Sequence, residues 1–378
     1  MTAHAAMAAD SLNLPGGKNL SRKAQLGQSL FFDANLSSPP GQSCATCHDP
    51  AARFADPDQG QPTSDGALTE LKGSRNTPIA MYAAFIPRFH FDKGEGLYVG
   101  GQFLDGRAAT LKEQAKGSFV NPLEMANPDE ATVVGKVREA AYAPLFKRVY
   151  GARSLDHPSK AYERIADAIA AFERSPVFAR FTSKYDYYLA GKASLTPQER
   201  RGRQVYEDPG KGNCAACHPD RPAKDGSRPL FTDHTYDNLG VPKNPDNPFY
   251  ALPPELNPDG FAFVDQGLGG FVKEPAEDGK FKVQTLRNIA KTAPYMHNGY
   301  FKTLRGVVDF YNTRDIKPAC PDPMTPEAQA LAQGCWPAAE VAANVNRDEL
   351  GALNMSYQEV DNLVAFLNTL TDGYKPGR

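Results

Sequence analysis

The sequence predicts a mainly α chain built as two similar halves, with long loops and few short strands. Three observations carry this. A five-residue pattern, C-x-x-C-H, occurs twice, once in each half. Each copy follows a short helical pattern and precedes, at a distance, an amphipathic one. Gly and Pro number 32 each in 378 residues, a loop-rich composition. At about 150 residues per domain the length suits two domains. Hydrophobic residues at 41% exclude global disorder. No run approaches the roughly 18 apolar residues of a membrane span. Lys+Arg 42 against Asp+Glu 44 argues against a nucleic-acid binder acting through a broad basic surface.

The elements follow in order. Residues 1–19 read as an N-terminal arm. Its first ten residues lack a basic n-region and an apolar h-region, and resemble the small-residue remnant of a processed secretion signal. The first domain spans 20–178 and the second 179–378, with the boundary between Ser175 and Leu195. Residues 20–33 open the first half and 195–208 the second. Each stretch has an N-cap (Ser21, Thr196), a glycine at the matching position (Gly27, Gly202), and an aromatic and an acid near its end. Pro197 sits at the first helical position, where its missing N–H costs nothing. Tyr162, Ile165, Ile169 and Phe172 form the apolar face of the first closing helix. Val360, Leu363, Val364, Leu367 and Leu370 form that of the second. Between motif and closing helix each half carries a long Gly/Pro-rich insert, and residues 242–258 are too proline-dense for helix.

The six cysteines sort into Cys44/Cys47, Cys214/Cys217 and Cys320/Cys335. The first two pairs are completed by His48 and His218, giving the attachment signature of c-type haem. Each pair of thiols can form thioethers to the porphyrin vinyls, and the adjacent histidine meets the iron. A zinc half-site or a redox dithiol is the alternative for a single copy. Zinc would want a further cysteine or histidine pair near each motif, and none is close in sequence. Two copies therefore point to two covalently bound haems c, and helix, motif, closing helix is the plan of a small cytochrome c. Haem c is attached outside the cytoplasm, so a periplasmic location is expected. Cys320 and Cys335 then fit a disulfide closing a loop; two free buried thiols are the alternative.

The residues resemble the bacterial di-haem cytochrome c peroxidase and MauG family over nearly the whole chain, from about Leu20 to Leu370. The shared segments are Arg75-Asn76-Thr77-Pro78, Asp105-Gly106-Arg107-Ala108, Leu111 with Gln114-Ala115, Asn121-Pro122-Leu123-Glu124-Met125, Thr285-Leu286-Arg287-Asn288 and Thr292-Ala293-Pro294-Tyr295-Met296-His297-Asn298-Gly299. The resemblance implies that hydrogen peroxide binds at the haem on His48 and that the haem on His218 stores or relays oxidising equivalents. It implies Glu124 as acid–base group and Gln114 as an amide that hydrogen-bonds bound ligand. It also implies one Ca²⁺, held by the Asn76 side chain and the carbonyls of Thr292 and Pro294.

The distal ligands distinguish family members. Many peroxidases carry a histidine upstream of the Arg-Asn-x-Pro segment that must leave the iron on reductive activation. Residues 63–73 contain none, and Leu68 stands near that position, so the first haem is expected to be open, as in MauG. His90, in the 89–100 insert, is the alternative distal ligand. At the second haem the ligand position falls on Tyr311, as in MauG, where the peroxidases have methionine. An anionic oxygen donor favours the higher oxidation states of iron. Met324 or Met355 is the alternative.

Two departures from the family stand out. The tryptophan that usually sits between the haems, just before the Asp-Gly-Arg segment, is Leu104. Residues 210–213 lack the surface tryptophan that MauG has near its second motif. The only tryptophan is Trp336. Tyr98, Phe103 or Tyr295 could substitute as relays. The implied partner is a small cytochrome, a cupredoxin or a protein substrate to be modified. A conventional peroxidase with reductive activation, or a pure electron-transfer cytochrome, is the alternative. Family peroxidases are often homodimers.

Overall fold

The computed structural model describes residues 14–377; the processed-signal reading of residues 1–10 lies outside them. The chain forms two compact units. One comprises residues up to Asp58, Thr63–Ile86 and Ala108–Arg180; the other comprises Gln59–Pro62, Pro87–Arg107 and the chain from Phe181 onward.

The first unit contains α1 (Arg22–Phe31), α2 (Cys44–Cys47), α3 (Leu111–Val120), α4 (Glu130–Glu139), α5 (Ala143–Tyr150) and α6 (Pro158–Glu173). The Ser21 hydroxyl caps α1 by accepting from the Ala24 amide at 3.2 Å. Helix α1 packs on α6, and Gly27 permits the approach: a Cβ there would lie 1.9 Å from the Ala168 carbonyl oxygen. Beneath the crossing Phe31, Phe172 and Phe178 meet edge to face, and Phe54 joins them, 4.2 Å from Phe178 between ring centroids.

The second unit repeats the arrangement. It contains β1 (His90–Asp92), β2 (Leu97–Val99), α7 (Lys184–Leu189), α8 (Pro197–Glu207), β3 (Tyr236–Asp237), α9 (Gly267–Val272), β4 (Phe281–Lys282), α10 (Leu304–Thr313), α11 (Glu327–Gln333) and α12 (Tyr357–Asn368). Thr196 and Glu199 close a capping box on α8. Helix α8 packs on α12, and a Cβ on Gly202 would lie 1.8 Å from the Asn362 carbonyl oxygen. The aromatic set here is Tyr185, Tyr206, Phe231 and Phe366. Phe366, absent from the apolar face expected for this helix, is fully buried. Asp186 and Arg287 form a buried bidentate pair at 3.0 and 2.9 Å. A separate cluster holds Phe301, Phe310 and Trp336 beside the Cys320–Cys335 disulfide.

The strands are two short antiparallel pairs, β1 with β2 and β3 with β4, the latter matching Tyr236 with Lys282. Residues Pro87–Arg107, assigned to the first half from sequence order, pack with the second unit. The Gly100 amide bonds the His234 carbonyl at 2.9 Å, and the Lys282 amide bonds the Leu104 carbonyl at 2.9 Å. Pairings across more than a hundred residues leave no local sequence trace.

Candidate functional site

The first C-x-x-C-H motif is a single turn of helix, α2. His48 ends it, its amide bonding the Cys44 carbonyl at 2.9 Å. The second motif is a 3₁₀ turn, Cys214–Ala216, and the His218 amide bonds the Cys214 carbonyl at 2.8 Å. All four cysteines are free of disulfides. Each turn therefore presents two thiols and one imidazole within a single loop of chain.

The two histidines are held alike. Nδ1 of His48 lies 3.2 Å from the Phe54 carbonyl oxygen, and Nδ1 of His218 lies 2.7 Å from that of Phe231. A carbonyl only accepts, so Nδ1 carries the hydrogen and Nε2 keeps its lone pair for a metal. Burial lowers both histidine pKa values, which keeps the rings neutral. The two accepting residues share a backbone conformation: Phe54 has φ +57° and Phe231 +55°. A left-handed phenylalanine costs of order 1–3 kcal/mol, which the buried aromatic clusters around both rings offset. The Tyr206 hydroxyl adds a hydrogen bond to the His218 carbonyl.

Burial pushes the thiols of Cys47, Cys214 and Cys217 up to about 12, and that of Cys44 higher still. A redox dithiol works through a thiolate at neutral pH, so that alternative fits poorly. Among the described residues no group of three or more His, Cys, Asp or Glu side chains could hold a metal ion. Two thiols available for thioether bonds, beside an imidazole whose Nε2 is free to meet iron, fit covalent haem c.

Glu124 lies in the turn after α3. Asn121 Nδ2 donates to its carboxylate at 2.7 Å, and the Ala67 amide donates to its main-chain carbonyl at 2.7 Å. Its charge acts on Cys44, Cys47 and His48, so the acid and the first motif share one neighbourhood. The loop that braces Glu124 contains Leu68, which is 36% exposed. Gln114 lies on α3 and donates to the Ser118 hydroxyl at 3.3 Å, one turn along. One acid escaped the sequence reading. Glu173, at the end of α6, is 6% exposed and its Oε2 has no hydrogen-bond partner. Burial raises its pKa to about 8, and its charge would act on Cys44.

In the second unit Tyr311 lies on α10, which packs on α12. Burial, and then Cys214, raises its hydroxyl pKa; Asp237 and Cys217 add to this. The phenol thus stands beside the second motif. Met355 is buried in the same core as Val205 and Tyr206. Its amide donates to the Asn312 side chain and its carbonyl accepts from it, each at 2.9 Å. Met324 sits in the turn after Cys320, its amide on Asp322 at 2.8 Å.

The remaining sequence candidates are distributed as follows. Asn76 belongs to the first unit, Thr292 and Pro294 to the second. Thr292 ends a 3₁₀ turn, and its hydroxyl donates to the Ile289 carbonyl at 3.3 Å. His90 is exposed on β1, its Nδ1 on the Arg88 carbonyl at 2.8 Å, and it belongs to the second unit. Leu104 is buried, also in the second unit. Trp336 is buried, and its Nε1 donates to the Thr313 hydroxyl at 2.9 Å.

Two haem-attachment turns, each on a matched helix pair and each with a carbonyl-held histidine, define a c-type di-haem protein. Comparison with known proteins narrows the class. Residues 21–194 match the family model described as di-haem cytochrome c peroxidase. The chain is 41% identical over 363 residues to the methylamine utilization protein MauG of Paracoccus denitrificans (strain Pd 1222), covering 93% of this chain and 89% of that one. It is 30% identical over 305 residues to the cytochrome c551 peroxidase of Pseudomonas aeruginosa, covering 80% and 75%. The crystal structure of the diheme peroxidase BthA from Burkholderia thailandensis E264 superposes with a TM-score of 0.77 at 34% identity, covering 93% of this chain and 86% of that one. The chain belongs to the di-haem cytochrome c peroxidase and MauG family, and is a peroxidase-type di-haem oxidoreductase with two haems c.

Proposed function

We propose that the protein is a periplasmic, MauG-like enzyme that reacts with hydrogen peroxide at the His48 haem without prior reduction and passes the oxidising equivalents to a partner. The haem, when bound, supplies the iron that takes up peroxide and carries the electrons. The chain's own residues do the rest. Cys44, Cys47 and His48 would anchor the first haem; Cys214, Cys217 and His218 would anchor the second, with Tyr311 as a further ligand to it. Glu124 would hold and move a proton between the two oxygens of a peroxide beside the first motif. Gln114 orients the bound peroxide. Asn76, Thr292 and Pro294 provide oxygen ligands for one Ca²⁺.

The observation that carries this reading is the position of Glu124. Its carboxylate acts on all three residues of the first motif, and the adjoining 63–73 loop has no histidine to block the iron. The electron source is a small cytochrome, a cupredoxin or a side chain of a protein substrate. Tyr311 favours the last, because a phenolate stabilises oxidised iron. With Leu104 in place of the usual tryptophan, the relay between haems differs from that of related enzymes. A homodimer fits the habit of the family.

The test adds peroxide to the diferric protein with no reductant. Prompt spectral change at both haems, and one high-spin with one low-spin EPR signal beforehand, are expected. Two low-spin signals and no reaction until pre-reduction would instead make the protein a reductively activated peroxidase. Glu124→Gln should slow the peroxide step by roughly 10²–10⁴, and an unchanged rate removes Glu124 from it.

A further inference from the structure

Residues 100–107 form a strap across the second unit, and a single buried lysine holds it. Lys282 is 5% exposed. Its ammonium donates to the Gly101 carbonyl at 2.6 Å and the Phe103 carbonyl at 2.7 Å. Its own amide takes the Leu104 carbonyl at 2.9 Å. The strap is shaped to this contact. Phe103 has φ +62°, and Arg107 lies over the Phe103 ring at 3.7 Å while holding Asp105 with two bonds of 2.9 Å. Gly106 has φ +77°, and a Cβ there would lie 2.3 Å from the Tyr236 hydroxyl, so a larger residue would push the two apart. That hydroxyl in turn bonds the Gly100 carbonyl.

The other side of Lys282 leads to the second motif. Lys282 on β4 pairs with Tyr236 on β3. Residues 231–237, which run into β3, supply the Phe231 carbonyl to His218 and the Asp233 amide to the Cys217 carbonyl at 3.0 Å. One stretch of chain thus separates a buried cation from the loop that holds the second haem's histidine. We propose that Lys282 is a positioning residue of the second haem: its ammonium fixes the strap that carries Leu104, and the presence or loss of its charge shifts that haem's potential.

Supporting this, burial lowers the lysine pKa to about 7, with Asp105 opposing the shift. The groups that bear on it are few. Asp105, paired with Arg107, acts from the strap. His234, kept neutral by burial and by Lys282 with a pKa near 4, acts from the approach to β3. His234 therefore carries no charge change near pH 7. The inference rests on the di-haem assignment, but not on peroxide chemistry, Tyr311 ligation or the identity of the partner.

The experiment is a potentiometric titration of the holoprotein from pH 6 to 9, read haem by haem, for wild type, Lys282→Met and Lys282→Arg. In the wild type the second-haem potential should fall as pH rises through about 7, because loss of the cation favours the oxidised form. The Met variant should be flat across that step, at the wild-type high-pH level. The Arg variant should be flat at the low-pH level, since guanidinium stays charged. A Met or Arg variant that keeps the wild-type step overturns the proposal, as does a wild type with no step. If the Met variant fails to fold, the Arg variant decides by its slope alone. A failure of peroxide reactivity in all three proteins would count against the proposed function and leave these potentials readable.

Discussion

Glu173 offers the sharpest quantitative check on how the first unit handles a buried acid. Its pKa is raised from 4.5 to about 8 by desolvation, with Arg174 opposing only weakly. The folded form therefore binds a proton that the unfolded chain has already lost between those two values. Stability must fall as pH rises through that window, because the unfolded state binds fewer protons there. At about 1.36 kcal/mol per pKa unit, the loss is about 3 kcal/mol by pH 7 and about 5 kcal/mol by pH 9. Glu173→Gln removes the titration while keeping the shape. Its amide leaves a polar atom unpaired, as the acid does, so any constant offset should be small and independent of pH. Denaturant unfolding of the holoprotein at pH 5, 7 and 9 should show the variant gaining on the wild type by these amounts, with the same m-value. All other titrating groups are common to the two proteins, so their difference isolates Glu173. Parallel pH profiles would refute the argument and show that the carboxyl titrates in the folded protein where it does in the unfolded chain.

Two further outcomes are expected. Gly202→Ala places a methyl group 1.8 Å from the Asn362 carbonyl oxygen, so α8 and α12 must separate. Overpacking of this kind costs about 1–3 kcal/mol or more, read as a lower urea midpoint; an unchanged midpoint would mean the helices do not close there. Tyr311→Phe should convert the low-spin signal of the second haem to high spin or to a methionine-ligated spectrum, and an unaltered spectrum would exclude the phenolate as ligand.

Much of this architecture was legible in the residues. The cap–glycine pattern at Ser21 and Gly27, repeated at Thr196 and Gly202, marks the helix pairs because a close crossing demands glycine at one register position. The motif histidines were legible for the same reason: chemistry fixes their spacing. What escaped was long-range or main-chain in origin. The Phe54 and Phe231 carbonyls lie 6 and 13 residues after their histidines, so no spacing rule finds them, and any residue has a carbonyl. Lys282 looks like a surface residue until the strap covers it. Glu173 follows a helix face at a position that could as well be solvated. The placement of residues 87–107 depends on pairing with residues far along the chain, which local propensity does not encode.

The paired carbonyls also bear on how such a protein could diverge. Because a main-chain oxygen grips each proximal imidazole, no single side-chain replacement can turn that grip into the stronger pull of a carboxylate; only a rerouted backbone could. Side-chain drift at Phe54 and Phe231 therefore leaves the main-chain contact to each histidine in place. Differences between the two sites have to come from the side chains around them, such as Glu124 near the first motif and Tyr311 near the second. Selection acting on this protein is therefore free to change those side chains while the main-chain hold on each histidine stays constant.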